Sequence, residues 1–344
     1  MKVVSVIVPC RNERRYLERF CAGVLGQRLP PDWQLQLVIA DGQSDDGTRE
    51  LLQRLAAADP RIEWIANPAR IVSSGLNAAL RRATGEVVVR MDVHSEYADD
   101  YVAQCLAVLA ETGADNVGGP WHAVPDDGAD AMQHAVAAAF QSRWVAGGAR
   151  SRDLRYDGWV DTVYLGSWPR ASFERFGGFD EALVRNQDDE HNLRIVKGGG
   201  RVWQSSRIRS TYRPRATLGQ VFRQYLQYGY WKPFVMKKHG QAASWRQMVP
   251  AVFVGALALA AIIALTGFGV WPCAGLLIAY ALAVLAMTAA IAATAAPALP
   301  VSVMARVPLV IAAYHLGYGI GSIAGWWDVL RGASGRERFG RLTR

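Results

Sequence analysis

"VVSVIVPCRNERRYLERFCAGVLGQ", residues 3–27, changes its period halfway along. The first half is a continuous apolar run that stops at Pro9, the pattern of a strand buried on both faces. The second half spaces Tyr16, Phe20 and Val24 four apart, which predicts a helix. The text downstream repeats the alternation. "LQLVIADG" (35–42), "RIEWIAN" (61–67) and "EVVVRMD" (86–92) read as strands, while "DGTRELLQRLAAADP" (46–60) and "SSGLNAALRRATG" (73–85) read as helices. This order predicts an α/β fold with a doubly wound sheet. Ligands of such sheets bind beyond the carboxyl ends of the strands, where Asn12, Asp41, Asn67 and Asp92 all fall.

The chain has 344 residues, 51% of them hydrophobic, but the apolar residues are unevenly spread. Between residues 249 and 296 there is no Asp, Glu, Lys or Arg. Segments 249–270 and 272–296 are each long enough to cross a hydrocarbon core of about 30 Å. Segment 301–327 is a weaker candidate, carrying Arg306, Pro308 and His315. Before these, "LGQVFRQYLQYGYWKPFVMKKHG" (218–240) is aromatic, basic and amphipathic, as suits a membrane interface. The net charge of +8 gathers around this region, with Lys237, Lys238 and Arg246 before it and Arg331, Arg336, Arg338, Arg341 and Arg344 after it. Basic flanks suit anionic lipid. Three crossings would put the basic tail on the side opposite the first flank, against the positive-inside tendency, so the third segment is expected either to re-enter or to break that rule. Zinc spacings, RNA-binding aromatic motifs and a recognition helix are not found, so nucleic acid is not expected as a partner. The four cysteines form no C-x-x-C pair and read as reduced hydrophobes. The apolar run at the start gives way to "RNERR" and does not read as a signal peptide, so the first two thirds of the chain are expected to stay cytoplasmic.

The acidic residues beyond the strand ends carry the chemistry. Asp41 follows a strand directly, and Asp45 and Asp46 stand before a helix, where one of them would serve as an N-cap. Capping does not explain Asp41, whose carboxylate suits the N–H edge of a nucleobase. Asp92 and His94 stand two apart, and on a strand both would reach one ion. Asp188, Asp189 and Glu190 open a helical run, a place the helix dipole favours for acids. Three in succession exceed what capping needs, and one of them suits a general base.

"VSVIVPCRNE", "VIADGQSDDGT", "VVRMDVH", "GGFDE" and "NQDDEHNLR" together resemble family-2 glycosyltransferases of the GT-A fold, a Rossmann-like nucleotide-diphospho-sugar architecture. "RMDVHSEY" and "NQDDEHNLRI" look closest to membrane-anchored exopolysaccharide glycosyltransferases of the succinoglycan type. The resemblance covers roughly residues 2–230. It implies a GT-A catalytic domain over 1–215, amphipathic interfacial helices over 216–248, a transmembrane region over 249–330 and a basic tail over 331–344. It implies that Pro9, Asn12, Glu13, Asp41 and Asp45 bind the nucleotide, with Asn77 and Arg90 in the donor-binding set. Asp92 and His94 then occupy the family's D-x-D metal site, His94 replacing the second acid. Asp188 matches the catalytic aspartate, because Glu190 and Arg194 complete the pattern E-D-x-D/E-L-x-x-R. Gly166, Asp189, Glu190 and Arg194 are candidates for the donor and acceptor loops. Gln224, Gln227 and Tyr228 align with the Q-x-x-R-W motif beside the membrane.

Three departures from the family pattern stand out. Gln187 replaces the usual Glu before the base, leaving it with one acidic neighbour fewer. Gln227 and Tyr228 replace Arg and Trp, which speaks against processive polymerisation. His94 favours manganese over magnesium as the divalent cofactor. The resemblance thus implies inverting transfer from a nucleotide-sugar donor, a UDP-sugar, to a lipid-linked polyprenyl acceptor at a bacterial inner membrane, with the catalytic domain facing the cytoplasm. Two rivals remain at this stage. One is a polyprenyl-phosphate glycosyltransferase, which product analysis with both lipids would separate. The other is a non-catalytic membrane-bound scaffold that binds nucleotide sugars, which donor turnover would exclude.

Overall fold

The computed structural model describes residues 1–241, 244–266 and 269–339. Within them the chain forms two compact units, residues 1–122 with 150–212, and residues 123–149 with 213 onward. Segment 123–149, which the family resemblance assigns to the catalytic domain, thus clusters with the later helices. Arg341 and Arg344 of the expected tail lie outside the described residues.

In the first unit the strands are β1 (Lys2–Cys10), β2 (Trp33–Asp41), β3 (Ile62–Ala66), β4 (Val87–Arg90), β5 (Glu96–Tyr97) and β6 (Asn116–Gly119). They continue as β7 (His122–Ala123), β8 (Gly158–Val160), β9 (Tyr164–Pro169), β10 (Val202–Gln204) and β11 (Ser210–Tyr212). Eight of them form a sheet in the order β3-β2-β1-β4-β9-β6-β10-β8. The first four are parallel, in the register Ile7↔Val38 and Ile7↔Arg90, as the strand and helix alternation predicts. Beyond β4 the sheet is mixed: β9 runs antiparallel to both β4 and β6, and β8 antiparallel to β10. β5, β11 and β7 make a separate small sheet.

Alternation along β1 sorts the core into two layers. Val4, Val6 and Val8 face one side, with Leu17 and Phe20 of helix α1 (Arg14–Leu25), Leu52 of α2 (Thr48–Ala58) and Val102 of α4 (Tyr101–Thr112). Ile7 faces the other, with Leu76 of α3 (Val72–Arg82), Phe173 and Phe176 of α6 (Arg170–Phe176) and Ile195 of α7 (Gln187–Lys197). The sheet is therefore covered on both faces, which leaves its carboxyl edge open for a site.

The second unit contains α5 (Ala131–Gln141), α8 (Leu218–His239), α9 (Val249–Leu265), α10 (Trp271–Thr294), α11 (Val301–Met304), α12 (Val307–Leu330) and α13 (Arg336–Phe339). Three stretches are long and apolar enough to cross a membrane: Trp245–Leu265, Trp271–Thr294 and Val301–Leu330. The first two bury few of their side chains, whereas half of the third is buried. α12 lies along α8, with Gly321 against the backbone carbonyl of Leu226 and Gly229 against that of Tyr318. Small residues permit this approach, and a Cβ at either position would collide with backbone. α8 thus buries Val221, Tyr230, Trp231 and Val235 within the unit.

Candidate functional site

The carboxyl ends of β1 to β4 form one edge, and the loops leaving them are held in unusual backbone conformations. Five non-glycine residues among those described have positive φ: Asn12, Gln43, Arg70, Leu165 and Asn186. Asn12, Gln43 and Arg70 follow β1, β2 and β3, and Asn186 leads into α7. Left-handed backbone in such residues persists only where surrounding contacts hold it, and it concentrates at binding sites.

Those contacts are present. Asn12 Nδ2 donates to Asp45 Oδ1 at 2.8 Å, and Asp45 N–H donates back to Asn12 Oδ1 at 3.0 Å. Asn12 N–H donates to Ser44 Oγ at 2.9 Å, and Glu13 N–H to Thr48 Oγ1 at 2.9 Å. The expected N-cap at Asp45 or Asp46 is replaced by Gly47 in left-handed backbone. Asp46 instead accepts from Thr48 N–H and Oγ1, which together with the Arg14 N–H hold its carboxyl below the usual range against the opposing effect of burial. Asp41 is fully buried, takes the Ser44 N–H at 3.1 Å on Oδ1, and takes the fork of Arg49 on Oδ2 at 3.1 and 3.0 Å. Pro9 stands on β1 opposite Ala40. Arg49 was missed in the sequence, although a cation in the first turn of a helix, where the dipole disfavours it, was a usable signal.

At the end of β4 stands the second cluster. Arg90 is only 6% exposed, its Nε and Nη2 donate to the two oxygens of Asp92 at 3.2 and 3.3 Å, and its Nη1 lies 4.0 Å from Asp188 Oδ2. Removing a cation from water costs several kcal/mol unless it is paired. Burial opposes the charge, but Asp92 and Asp188 outweigh it and push the guanidinium above its ordinary value. A charge ending a short valine strand is the sequence signal for this role, where the family resemblance implies only a donor contact.

The reading of Asp92 and His94 as neighbours on a pleat is corrected. β4 ends at Arg90, and residues 92–95 form a turn in which Ser95 N–H donates to Asp92 O at 3.1 Å. The Tyr97 hydroxyl accepts from Asp92 N–H at 2.7 Å and lies 3.2 Å from Asp92 O, which takes the chain out of the strand. His94 Nδ1 stands 3.4 Å from Oε1 of the buried Glu13. No three of His, Cys, Asp and Glu among the described residues group as a ready-made metal cage. One carboxylate and one imidazole nonetheless fit a divalent ion as two protein ligands, leaving positions for diphosphate and water. The Arg90 fork does not exhaust Asp92, since a carboxylate has about four lone-pair directions.

The remaining candidates separate into distinct jobs. Asp188 is half-buried in the first turn of α7, with its Oδ1 accepting from Asp189 N–H at 2.9 Å. The side chain of Asp189 turns elsewhere, accepting from Thr162 Oγ1 at 3.2 Å. Glu190 is fully buried and paired with Arg194 at 2.6 Å. Asn77 Nδ2 donates to the Phe179 carbonyl at 2.8 Å and its Oδ1 accepts from Phe179 N–H at 2.8 Å, so it holds the "GGFDE" loop. Gly166 has φ of +114°, and a Cβ there would strike Trp168 and Asn116. Gln224, Gln227 and Tyr228 lie on α8 of the second unit, Gln224 Nε2 donating to the Tyr228 hydroxyl at 3.3 Å.

Comparison with known proteins agrees with this arrangement. The profile of glycosyl transferase family 2 matches residues 5–169. The chain is 33% identical over 277 residues to the succinoglycan biosynthesis protein ExoA of Rhizobium meliloti (strain 1021), spanning 78% of this chain and 82% of that one. It is 22% identical over 246 residues to a dolichyl N-acetyl-alpha-D-glucosaminyl phosphate 3-beta-D-2,3-diacetamido-2,3-dideoxy-beta-D-glucuronosyltransferase of Methanococcus voltae, spanning 69% and 75%. In fold it is similar to the mannosyltransferase PcManGT from Pyrobaculum calidifontis, solved with GDP-Man and Mn2+, at a TM-score of 0.57, 21% identity, and 94% and 87% of the two chains. A sheet whose carboxyl edge gathers the "RNE", "SDDGT", "MDVH" and "QDDE" motifs, and a relative one third identical over most of both chains, make this protein a glycosyltransferase that belongs to family 2 and has the GT-A fold.

Proposed function

We propose that the protein is an inverting, metal-dependent, membrane-associated glycosyltransferase that moves a sugar from a nucleotide-diphosphate donor, a UDP-sugar, to a lipid-linked saccharide in polysaccharide or glycan biosynthesis. The observation that carries this reading is the buried Arg90 reaching Asp92 with one end and Asp188 with the other. A donor-side carboxylate and an acceptor-side carboxylate then flank one reaction centre.

Asn12, Glu13, Asp41 and Asp45 bind the nucleotide, with Asp41 facing the base. Asp92 and His94 hold a divalent ion, Mn2+ in preference to Mg2+. When bound, that ion offsets charge on the leaving nucleoside diphosphate. Asp188 takes the proton of an acceptor hydroxyl. The hydroxyl oxygen bonds to the anomeric carbon from the face opposite the phosphate, and the bond from that carbon to the phosphate oxygen breaks with its electron pair on the leaving group. General-base assistance of this kind contributes roughly 10²–10⁴-fold. Three stretches long and apolar enough to span a membrane suit anchorage in an inner membrane, with catalysis on its cytoplasmic side and a polyprenyl-linked saccharide as acceptor. A name in succinoglycan biosynthesis for one relative and a dolichyl-linked substrate in the name of another support this choice of acceptor.

Asp188→Asn tests the reading, with radiolabelled UDP-sugars, membrane lipid extract and the full chain in membranes. Transfer is expected to fall at least about 100-fold while UDP binding stays within about 3-fold. Lost UDP binding, or retained transfer, would refute the role of Asp188.

A further inference from the structure

Arg90 ends a strand whose other three residues are valines, between β1 and β9 in the middle of the sheet. Two of its nitrogens are committed to Asp92, each to a different oxygen. The third, Nη1, makes no hydrogen bond among the described residues and points toward Asp188, 4.0 Å away. Asp92 and Asp188 come from distant parts of the chain, the turn after β4 and the first turn of α7. Both are anionic, and without a cation between them they would repel.

Other contacts hold the surroundings of these carboxylates. Tyr97 brackets the Asp92 backbone, and Thr162 engages Asp189 rather than Asp188. The guanidinium reaches both side chains. It is planar and rigid, so contacts on two of its sides set a separation as well as a charge. A lysine at the same place would supply the charge from a single point and could not span both.

We propose that Arg90 is a positioning residue of the transfer reaction, holding Asp92 on the donor side and Asp188 on the acceptor side at a fixed spacing. This rests on the reading of Asp188 as the base. The fixed spacing brings the acceptor oxygen, the anomeric carbon and the departing phosphate oxygen into line. Misplacement of reacting groups by about 1 Å costs on the order of 100-fold in rate.

The test uses the full chain in membranes, a UDP-sugar that the wild type transfers, and UDP itself as the binding probe. The variants are Arg90→Lys, Asp188→Asn and the two combined. Arg90→Lys is expected to lower kcat by roughly 100-fold with UDP affinity held within about 3-fold. The double variant is expected to lose less than the product of the two single losses, because part of the effect of Arg90 passes through Asp188. Arg90→Lys retaining kcat within about 3-fold would reduce Arg90 to a neutralising charge and overturn the proposal. So would a double variant whose loss equals the product of the two single losses, or an Arg90→Lys protein that no longer binds UDP. If Asp188→Asn alone keeps wild-type kcat, the base assignment falls, and the positioning role that rests on it falls with it.

Discussion

Glu190 and Arg194 stand one turn apart on α7 and close a two-pronged ion pair, with Nη2 to Oε2 at 2.6 Å and Nε to Oε1 at 3.1 Å. The carboxylate is fully buried. The remaining nitrogen, Nη1, donates to the carbonyls of Phe176 and Gly178 at 2.6 and 2.8 Å. The motif pair therefore ties α7, which presents Asp188, to the loop that Asn77 grips from α3. Arg194→Met should strand a buried charge and destabilise the first unit by about 3 kcal/mol, the low end of the usual cost because the arginine is partly exposed. Glu190→Gln should cost less, since the amide can still meet the guanidinium through its oxygen. Denaturant titration of the full chain checks both, and a smaller loss for Arg194→Met than for Glu190→Gln would contradict this account.

His191 occupies the place where the family pattern has Leu, and it is buried against Phe173 with ring centroids 5.4 Å apart. Its Nε2 lies 3.0 Å from the Gly177 carbonyl. Burial, helped by the charge of Arg194, lowers its pKa from 6.5 to about 4. An unfolded histidine binds a proton near pH 6.5 while the native one stays neutral, so between those values the unfolded state holds more protons. Stability should thus be unaffected above pH 6.5 and fall as the pH drops toward 4, by about 3 kcal/mol in all. His191→Leu should remove this slope, and an unchanged slope in that variant would show that other groups produce it.

Half of the sheet was legible because its strands announce themselves. β1 to β4 are short apolar runs separated by helical spacing, and four parallel strands follow from that order. β9 lies within "VDTVYLGSWPR" (160–170), where a turn, a left-handed Leu165 and a buried Trp168 in one short segment leave no clean period to read. Asp188 and Asp92 were legible as motif residues. Their link through Arg90 depends on tertiary geometry, which no spacing along the chain reports. The same holds for Asn77, whose partner Phe179 lies about a hundred residues away.

Asp41 and Arg49 give a prediction about the donor. The aspartate is fully buried and its Oδ2 already carries the arginine fork, so the guanidinium fixes the carboxylate beside the Ser44 loop. Asp41→Asn should weaken UDP binding by about 10-fold, the scale of one charge-assisted hydrogen bond. Arg49→Gln should weaken it less, through looser positioning of Asp41. Calorimetric titration with UDP measures both. Unaltered affinity in Asp41→Asn would remove the aspartate from the nucleobase contact and leave it as a partner of Arg49 and the Ser44 N–H.

The contact of α12 with α8 predicts a sharp sensitivity to side-chain size. At Gly321 an added Cβ meets the Leu226 carbonyl, which is backbone and cannot rotate away. Gly321→Val should force the helices apart and destabilise the second unit by about 1–3 kcal/mol, as overpacking usually does. Gly255 on α9 has open space where its Cβ would be, so Gly255→Val should be close to neutral. Thermal unfolding in detergent compares the two, and equal losses would show that the close approach of α8 and α12 does not govern stability.

The substitution of His94 for the usual second acid bears on metal choice. Magnesium demands oxygen ligands in near-ideal octahedra, whereas manganese accepts an imidazole beside carboxylate oxygens. His94 is half-buried, with Nδ1 3.4 Å from Glu13 Oε1, so the glutamate is placed to orient the ring and leave Nε2 as the metal ligand. Transfer should therefore be faster with Mn2+ than with Mg2+ in the wild type. In His94→Asp the ratio should move toward Mg2+, and Glu13→Gln should lower apparent Mn2+ affinity by about 10-fold through loss of ring orientation. Initial rates across a titration of each ion measure all three. If the Mn2+ to Mg2+ ratio is the same in wild type and His94→Asp, His94 is not a ligand, and Asp92 is the one remaining protein ligand of the pair.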